Sequence, residues 1–276
     1  MPEKIAVTLP ALRQMKADAR KIVGVVAWDY PMAQIADRAG AEIVSVGDTV
    51  GVNLWGHSSP LEITLAEMVI VCKAVRRGVK RALLSCDLPY GPLQQGRARA
   101  LRAAIRLVKE AGADLVKVDG AAQFPQTVEA LVRAGIPVFA QFGMTPQTAL
   151  QYGIAYGAAS GRAAQVPPEM TPRLIEEAKC LESAGASLLD FTNSGPTAGP
   201  AIVKAVAIPV LGGFGGGPWL DGRMRMAHAA IGYAASAIDS PPETYANVAR
   251  VALEALEQYA NDVRAGRQIK GQAVSP

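Results

Sequence analysis

The chain has 276 residues, half of them hydrophobic but only 5% aromatic, and its 28 basic and 24 acidic side chains leave a net charge of +4. That length buries a substantial core of Ala, Val, Ile and Leu, while scattered positives without an aromatic platform argue against a nucleic-acid partner. Three distant cysteines with no CxxC spacing argue against a disulfide framework or a zinc site, and no apolar run reaches membrane-spanning length, so a cytoplasmic protein with no membrane partner is expected.

Residues 1–20 carry no signal-peptide core and read as an N-terminal helix. The first strand candidate is "IVGVVAWD" (22–29). A refrain then organises the chain: "RAGAEIVSVGD" (38–48), "EAGADLVKVDG" (110–120), "RAGIPVFAQFG" (133–143) and "SAGASLLDFTN" (183–193). Each ends an amphipathic helix at Ala-Gly, runs through a short apolar stretch and closes on polar residues. Gly40, Gly112, Gly135 and Gly185 fit the left-handed position just past a helix. Apolar runs of this length between helices read as parallel strands buried on both faces. "RALLSCD" (81–87) and "IPVLGGF" (208–214) add two more, and the basic stretches 73–81 and 97–106 have the spacing of helix surfaces. For the eighth strand the candidate is "RMAHAAIGY" (225–233), which could equally be helical. The segment 241–266 predicts a C-terminal helix, packed on the barrel or on a neighbouring subunit.

Regular βα alternation over this length favours a single (β/α)8 barrel domain spanning 1–276 over a doubly wound sheet. No GxGxxG follows the first strand, and "LGGFGGGP" (211–218) lacks the Lys-Ser/Thr of a P-loop; a close-approach loop at the barrel mouth is one reading of it.

Active sites of such barrels sit at the C-terminal ends of the strands. There this chain places Asp29, Asp48, Asp87, Asp119, Gln141 and Asp190. Converging carboxylates repel one another in a desolvated space, so a cation should offset them. Lys117, on the same side of its strand as Asp119, is one candidate, and a hard divalent ion is the other. Some of these aspartates should instead be helix caps. Cys86 faces away from the mouth and reads as core filler, His57 and His228 as structural residues, and Trp28 and Tyr30 as pocket or rim.

"AWDYPMAQIADRAG" (27–40), "VGDTVGVNLWGHSS" (46–59), "RRGVKRALLSCDLPYG" (76–91), "AGADLVKVDG" (111–120), "GMTPQ" (143–147) and "DGRMRMAHAAIG" (221–232) together resemble the ketopantoate hydroxymethyltransferase family, in order and spacing. The resemblance implies a barrel of the phosphoenolpyruvate mutase/isocitrate lyase-like type that binds Mg2+ and a 2-oxo acid. It also implies a hydroxymethyl group delivered from 5,10-methylenetetrahydrofolate, in pantothenate biosynthesis. On that pattern Asp48 and Asp87 hold the metal with Asp119 in its outer shell. Thr49 and Lys117 bind the substrate carboxylate, Gln141 lies at a substrate-binding position, and Asp190 is the catalytic base. A homo-oligomer, plausibly a decamer, is implied as well.

The chain departs from the family pattern at the site. Thr49 stands for Ser, Asp119 and Asp190 for Glu, Gln141 for His and Trp28 for Tyr, and the loop 152–162 differs throughout. Such changes leave open another enolate, lyase or mutase reaction on a different 2-oxo acid, or a non-catalytic homologue.

Overall fold

The computed structural model describes residues 6–153, 165–213, 216–239 and 244–271. Eight parallel strands close into a barrel in chain order: β1 (Ile22–Val26), β2 (Ile43–Val46), β3 (Leu83–Asp87), β4 (Leu115–Val118), β5 (Val138–Gly143), β6 (Leu188–Thr192), β7 (Val210–Gly212) and β8 (Gly222–Met226). Helix α1 (Leu9–Ala17) precedes β1, and α2 (Tyr30–Arg38) follows it. Next come α3 (Val50–Trp55) and α4 (Leu65–Gly78) before β3, then α5 (Arg97–Lys109), α6 (Pro125–Arg133), α7 (Thr171–Ser183) and α8 (Ala198–Ala205) before β4, β5, β6 and β7.

The helices begin and end where side-chain chemistry dictates. Thr64 and Glu67 form a reciprocal capping box at the start of α4. The Ala-Gly refrain ends helices as its spacing predicts, with positive φ at Gly40, Gly112, Gly135 and Gly185. Asp37, at the end of α2, is buried and accepts from the backbone N–H groups of Lys80, Arg81 and Ala82 at 2.8–3.3 Å. It fastens that helix to the approach of β3.

Strand alternation sorts the core into two shells. Val44, Leu84, Val116, Ala140, Leu189 and Val210 point outward into the layer beneath the helices. Ile22, Ile43, Leu115, Phe139, Leu188 and Leu211 point inward at the strand starts, where Leu12 and Met15 of α1 pack against them. Each fully buried large side chain contributes about 1.5–3 kcal/mol. The N-terminal end of the barrel is therefore closed by hydrocarbon, and polar chemistry is left to the other end.

The eighth strand differs from the expected 225–233. It is Gly222–Met226, and Ala227–Ile231 is helical. β8 alternates buried Gly222 and Met224 with exposed Arg223 and Arg225, so it lacks the continuous apolar run that marks the other strands. Its glycine is required by close approach: a Cβ at Gly222 would collide with the backbone of Ile22, and one at Gly24 with the sulfur of Met224.

The chain divides into two compact units, Met1–Arg225 and Met226–Pro276. The second holds α9 (Ala227–Ile231) and α10 (Val248–Arg264), the latter capped by the Asn247 side chain. Val251, Leu256, Tyr259 and Val263 of α10 are exposed. Residues 241–243 of the expected C-terminal helix lie outside the described residues.

Candidate active site

Strand register brings the polar residues to one level. Asp87 on β3 pairs with Lys117 on β4, and Gln141 on β5 pairs with Asp190 on β6. Asp48 and Asp119 lie just past the ends of β2 and β4. Asp48, Asp87, Asp119, Gln141 and Asp190 are all buried. Lys117 Nζ stands 3.3 Å from Asp87 Oδ2 and 3.4 Å from Asp190 Oδ2. Its partners are thus the carboxylates on either side, not Asp119.

Burial dominates the electrostatics. It pushes Asp48 up to about 6, with the Asp119 charge adding to it and the Gln147 amide and Lys117 opposing. Asp87 is pushed up to about 7 by burial; Lys117 opposes that rise and Asp48 reinforces it. Asp119 is pushed up to about 6 by burial, against a hydrogen bond from Thr145 and the Lys117 charge. Burial by itself would depress Lys117, but the surrounding aspartates reverse that and hold it protonated.

Further contacts fix the geometry. Gln147 Nε2 donates to Asp48 Oδ2 at 2.9 Å, and its backbone N–H to Asp119 Oδ2 at 3.3 Å. The Asp48 N–H donates to Asp87 Oδ2 at 3.3 Å. Gln141 Nε2 donates to Thr192 Oγ1 at 2.9 Å. Gly213 N–H donates to Asp190 Oδ1 at 3.2 Å, so the glycine-rich segment approaches the site through its backbone. Phe214 and Gly215 of that segment are outside the described residues, as is the loop 152–162 from residue 154 onward. Thr49 is buried at the entrance to α3, and its hydroxyl caps no helix N–H. Asn193, with φ of 57°, ties the end of β6 to β5 by donating to the Met144 carbonyl at 3.0 Å.

Other candidates stand apart from this cluster. Asp29 is a helix cap, accepting from Met32 N–H at 2.7 Å. Trp28 packs against the outer core, while Tyr30 is exposed. Burial pushes the Cys86 thiol well up, leaving it a core side chain. His57 packs over Gly51, where a Cβ would crowd its ring. Gln147, Thr145 and Thr192 were not singled out from the sequence. Gln147 lies in "GMTPQ" just after β5, and that position at the mouth was the available signal.

Asp87 Oδ1 and Asp119 Oδ1 are buried without a hydrogen-bond partner. Unpartnered carboxylate oxygens in a desolvated anionic cluster fit a hard cation. Among the described residues no three His, Cys, Asp or Glu groups form a ready-made metal cage.

Residues 6–268 match the model of the family described as ketopantoate hydroxymethyltransferase. A protein of Cyanothece sp. named 3-methyl-2-oxobutanoate hydroxymethyltransferase is 37% identical over 265 residues, covering 94% of this chain and 97% of that one. Among solved structures, phosphoenolpyruvate phosphomutase from Streptomyces platensis superposes with a TM-score of 0.60 at 14% identity, covering 94% of this chain and 88% of that one. A 2,3-dimethylmalate lyase of the PEP mutase/isocitrate lyase superfamily gives 0.57 at 14% identity, covering 99% and 93%. These two likenesses place the barrel among folds of that type. The sequence match is closer and spans barrel and site together, and by it the chain belongs to the ketopantoate hydroxymethyltransferase family.

Proposed function

We propose that the chain transfers a hydroxymethyl group from 5,10-methylenetetrahydrofolate to the α-carbon of a 2-oxo acid, with Mg2+ or a similar divalent ion. The observation that carries this reading is the group of buried carboxylates around one ammonium at the barrel mouth, in a chain whose relatives are named for such a transfer.

Asp48 and Asp87 would hold the cation, with Asp119 beside them. When bound, such an ion polarises a keto oxygen and favours loss of the neighbouring proton. Asp190 accepts that proton as general base, oriented by Gly213 N–H and Lys117. Lys117 and the Thr49 hydroxyl receive the substrate carboxylate, and the Gln141–Thr192 pair lines the wall beside Asp190. Gln141 hydrogen-bonds but carries no proton at neutral pH, so proton transfer is left to the carboxylates. The α-carbon gains the methylene carbon and water supplies the hydroxyl. The donor's two carbon–nitrogen bonds become N–H bonds, using the α-proton and water's remaining proton.

Solvent deuterium exchange into the α-carbon of 3-methyl-2-oxobutanoate, with and without Mg2+, tests the reading. Metal-dependent exchange followed by methylenetetrahydrofolate consumption is expected. Exchange without donor consumption would favour another enolate reaction, and no exchange with any of a panel of 2-oxo acids would favour a non-catalytic homologue. Asp190→Asn should abolish exchange while leaving Mg2+ affinity intact. Assembly as a homo-oligomer belongs to the same proposal. The exposed apolar residues of α10 support it, and sedimentation tests it.

A further inference from the structure

Each strand from β1 to β6 is followed by a helix, but the described residues between β7 and β8, 213 and 216–221, hold none. Trp219 stands in that connection and packs against the outer core. Two glycines keep its slot open: a Cβ at Gly199 of α8 would collide with the pyrrole edge of the ring, and one at Gly217 with the benzene edge. Trp219 Nε1–H donates to Ser194 Oγ at 2.9 Å, and Ser194, just past β6, is fully buried. An indole N–H donates but neither takes up nor releases a proton at neutral pH, so what Trp219 can offer a site is position.

Both ends of this contact lead to Asp190. On one side, Gly216 lies against the backbone of Gly212 and the Cδ1 methyl of Leu220, and a Cβ on either glycine would crowd that contact. The segment that carries Trp219 therefore clasps the end of β7. The next residue, Gly213, donates its N–H to Asp190 Oδ1 at 3.2 Å. On the other side, Ser194 closes a buried run that begins at Asp190 and passes through Thr192 and Asn193. Gln141 and the Met144 carbonyl hold those two residues at 2.9 and 3.0 Å. Trp219 thus joins the carrier of the Gly213 N–H to the strand that carries its acceptor.

We infer that Trp219 is a positioning residue for the base: by bolting the β7–β8 connection to the end of β6, it keeps the Gly213 N–H on Asp190 and the Asp190 carboxylate in line with the substrate's α-proton. The inference rests on the transfer reading above for the role of Asp190, and on the Trp219 contacts for the coupling. With Gly213 N–H on Oδ1 and Lys117 on Oδ2, the carboxylate has one orientation. Without the first donor it can turn about its Cβ–Cγ bond, and a misplacement of about 1 Å costs about a hundredfold in rate. Asp48 and Asp87 stand at the ends of β2 and β3, across the barrel from β6 and β7, so the proposed cation site should not feel the change.

Trp219→Phe keeps a ring and removes the donor. Ser194→Ala removes the acceptor and leaves the ring in its slot, which guards against misfolding of the first variant. Three measurements on each, beside wild type, test the inference: solvent exchange of the Gly213 amide by NMR, the kinetics of Mg2+-dependent deuterium uptake by 3-methyl-2-oxobutanoate, and Mg2+ affinity by calorimetry. Both variants should lose protection of the Gly213 amide at least about tenfold and lower kcat for deuterium uptake about 10–100-fold, with KM and Mg2+ affinity within about twofold of wild type. Wild-type protection and kcat in both variants overturn the inference. So does lost protection with unchanged kcat, since the Gly213 bond would then not serve proton removal. A parallel loss of Mg2+ affinity also overturns it, because Trp219 would then hold the whole mouth together and not the base. A wild type that deuterates no 2-oxo acid, while both variants still release the Gly213 amide, would uphold the coupling and sink the transfer reading instead.

Discussion

Replacing Lys117 by methionine keeps most of the side chain's volume and removes the cation between Asp87 and Asp190. At separations of 3.3 and 3.4 Å, each attraction is about 5 kcal/mol at an effective dielectric of 20, most of it offset by the cost of burying the charges. What truncation loses is set by the carboxylates left behind, and breaking such a buried pair typically costs about 3–5 kcal/mol. That cost depends on pH. Asp48, Asp87 and Asp119 sit at about 6, 7 and 6, above the ordinary carboxylate value of 3.8. The folded chain thus binds these protons more tightly than the unfolded one. Their favourable contribution is complete below about pH 4 and is lost as pH rises through 6 and 7. Urea denaturation of wild type and Lys117→Met at pH 8 and pH 5.5 should show a loss of about 3–5 kcal/mol at the higher pH and less than half of it at the lower. Added Mg2+ should recover part of the loss at pH 8. An equal loss at both pH values would mean that Lys117 acts by packing, and would refute the electrostatic account.

Binding of the proposed cation by the same carboxylates should depend on pH, because ligands must lose their protons first. With Asp87 at about 7 and Asp48 at about 6, Mg2+ affinity by calorimetry should fall about 20-fold from pH 8 to pH 6, with protons released on binding. Gln147→Leu frees Asp48 from its amide partner and should weaken Mg2+ about 10–100-fold with little change in thermal stability; unchanged affinity would show that Gln147 does not orient Asp48. Asp37→Ala strips the acceptor from three backbone N–H groups far from the chemistry. It should cost at least about 2 kcal/mol in denaturant unfolding yet leave deuterium exchange per folded molecule unchanged.

Seven strands were legible because each is an apolar run bracketed by a helix-ending Ala-Gly or a polar close, and a buried parallel strand needs that pattern wherever it lies. β8 was misplaced because alternating arginines break the run, and only closure against β1 identifies it. The carboxylates could be enumerated from the sequence, since strand ends predict which residues reach the mouth. Their division of labour could not. Asp29 and Asp48 both follow short apolar strands, yet Asp29 spends its side chain on Met32 N–H, while Asp48 enters a shared buried cluster.

The sequence by itself determined the barrel and the family, and it enumerated the carboxylates at the strand ends, because these depend on local periodicity and on motif order. Tertiary structure alone decided that Lys117 pairs with Asp87 and Asp190, that Gln147 braces Asp48 from the segment after β5, three strands round the barrel from β2, and that Asp119 lines a cavity. Those facts depend on strand register and on desolvation, and both come from residues far apart in the chain.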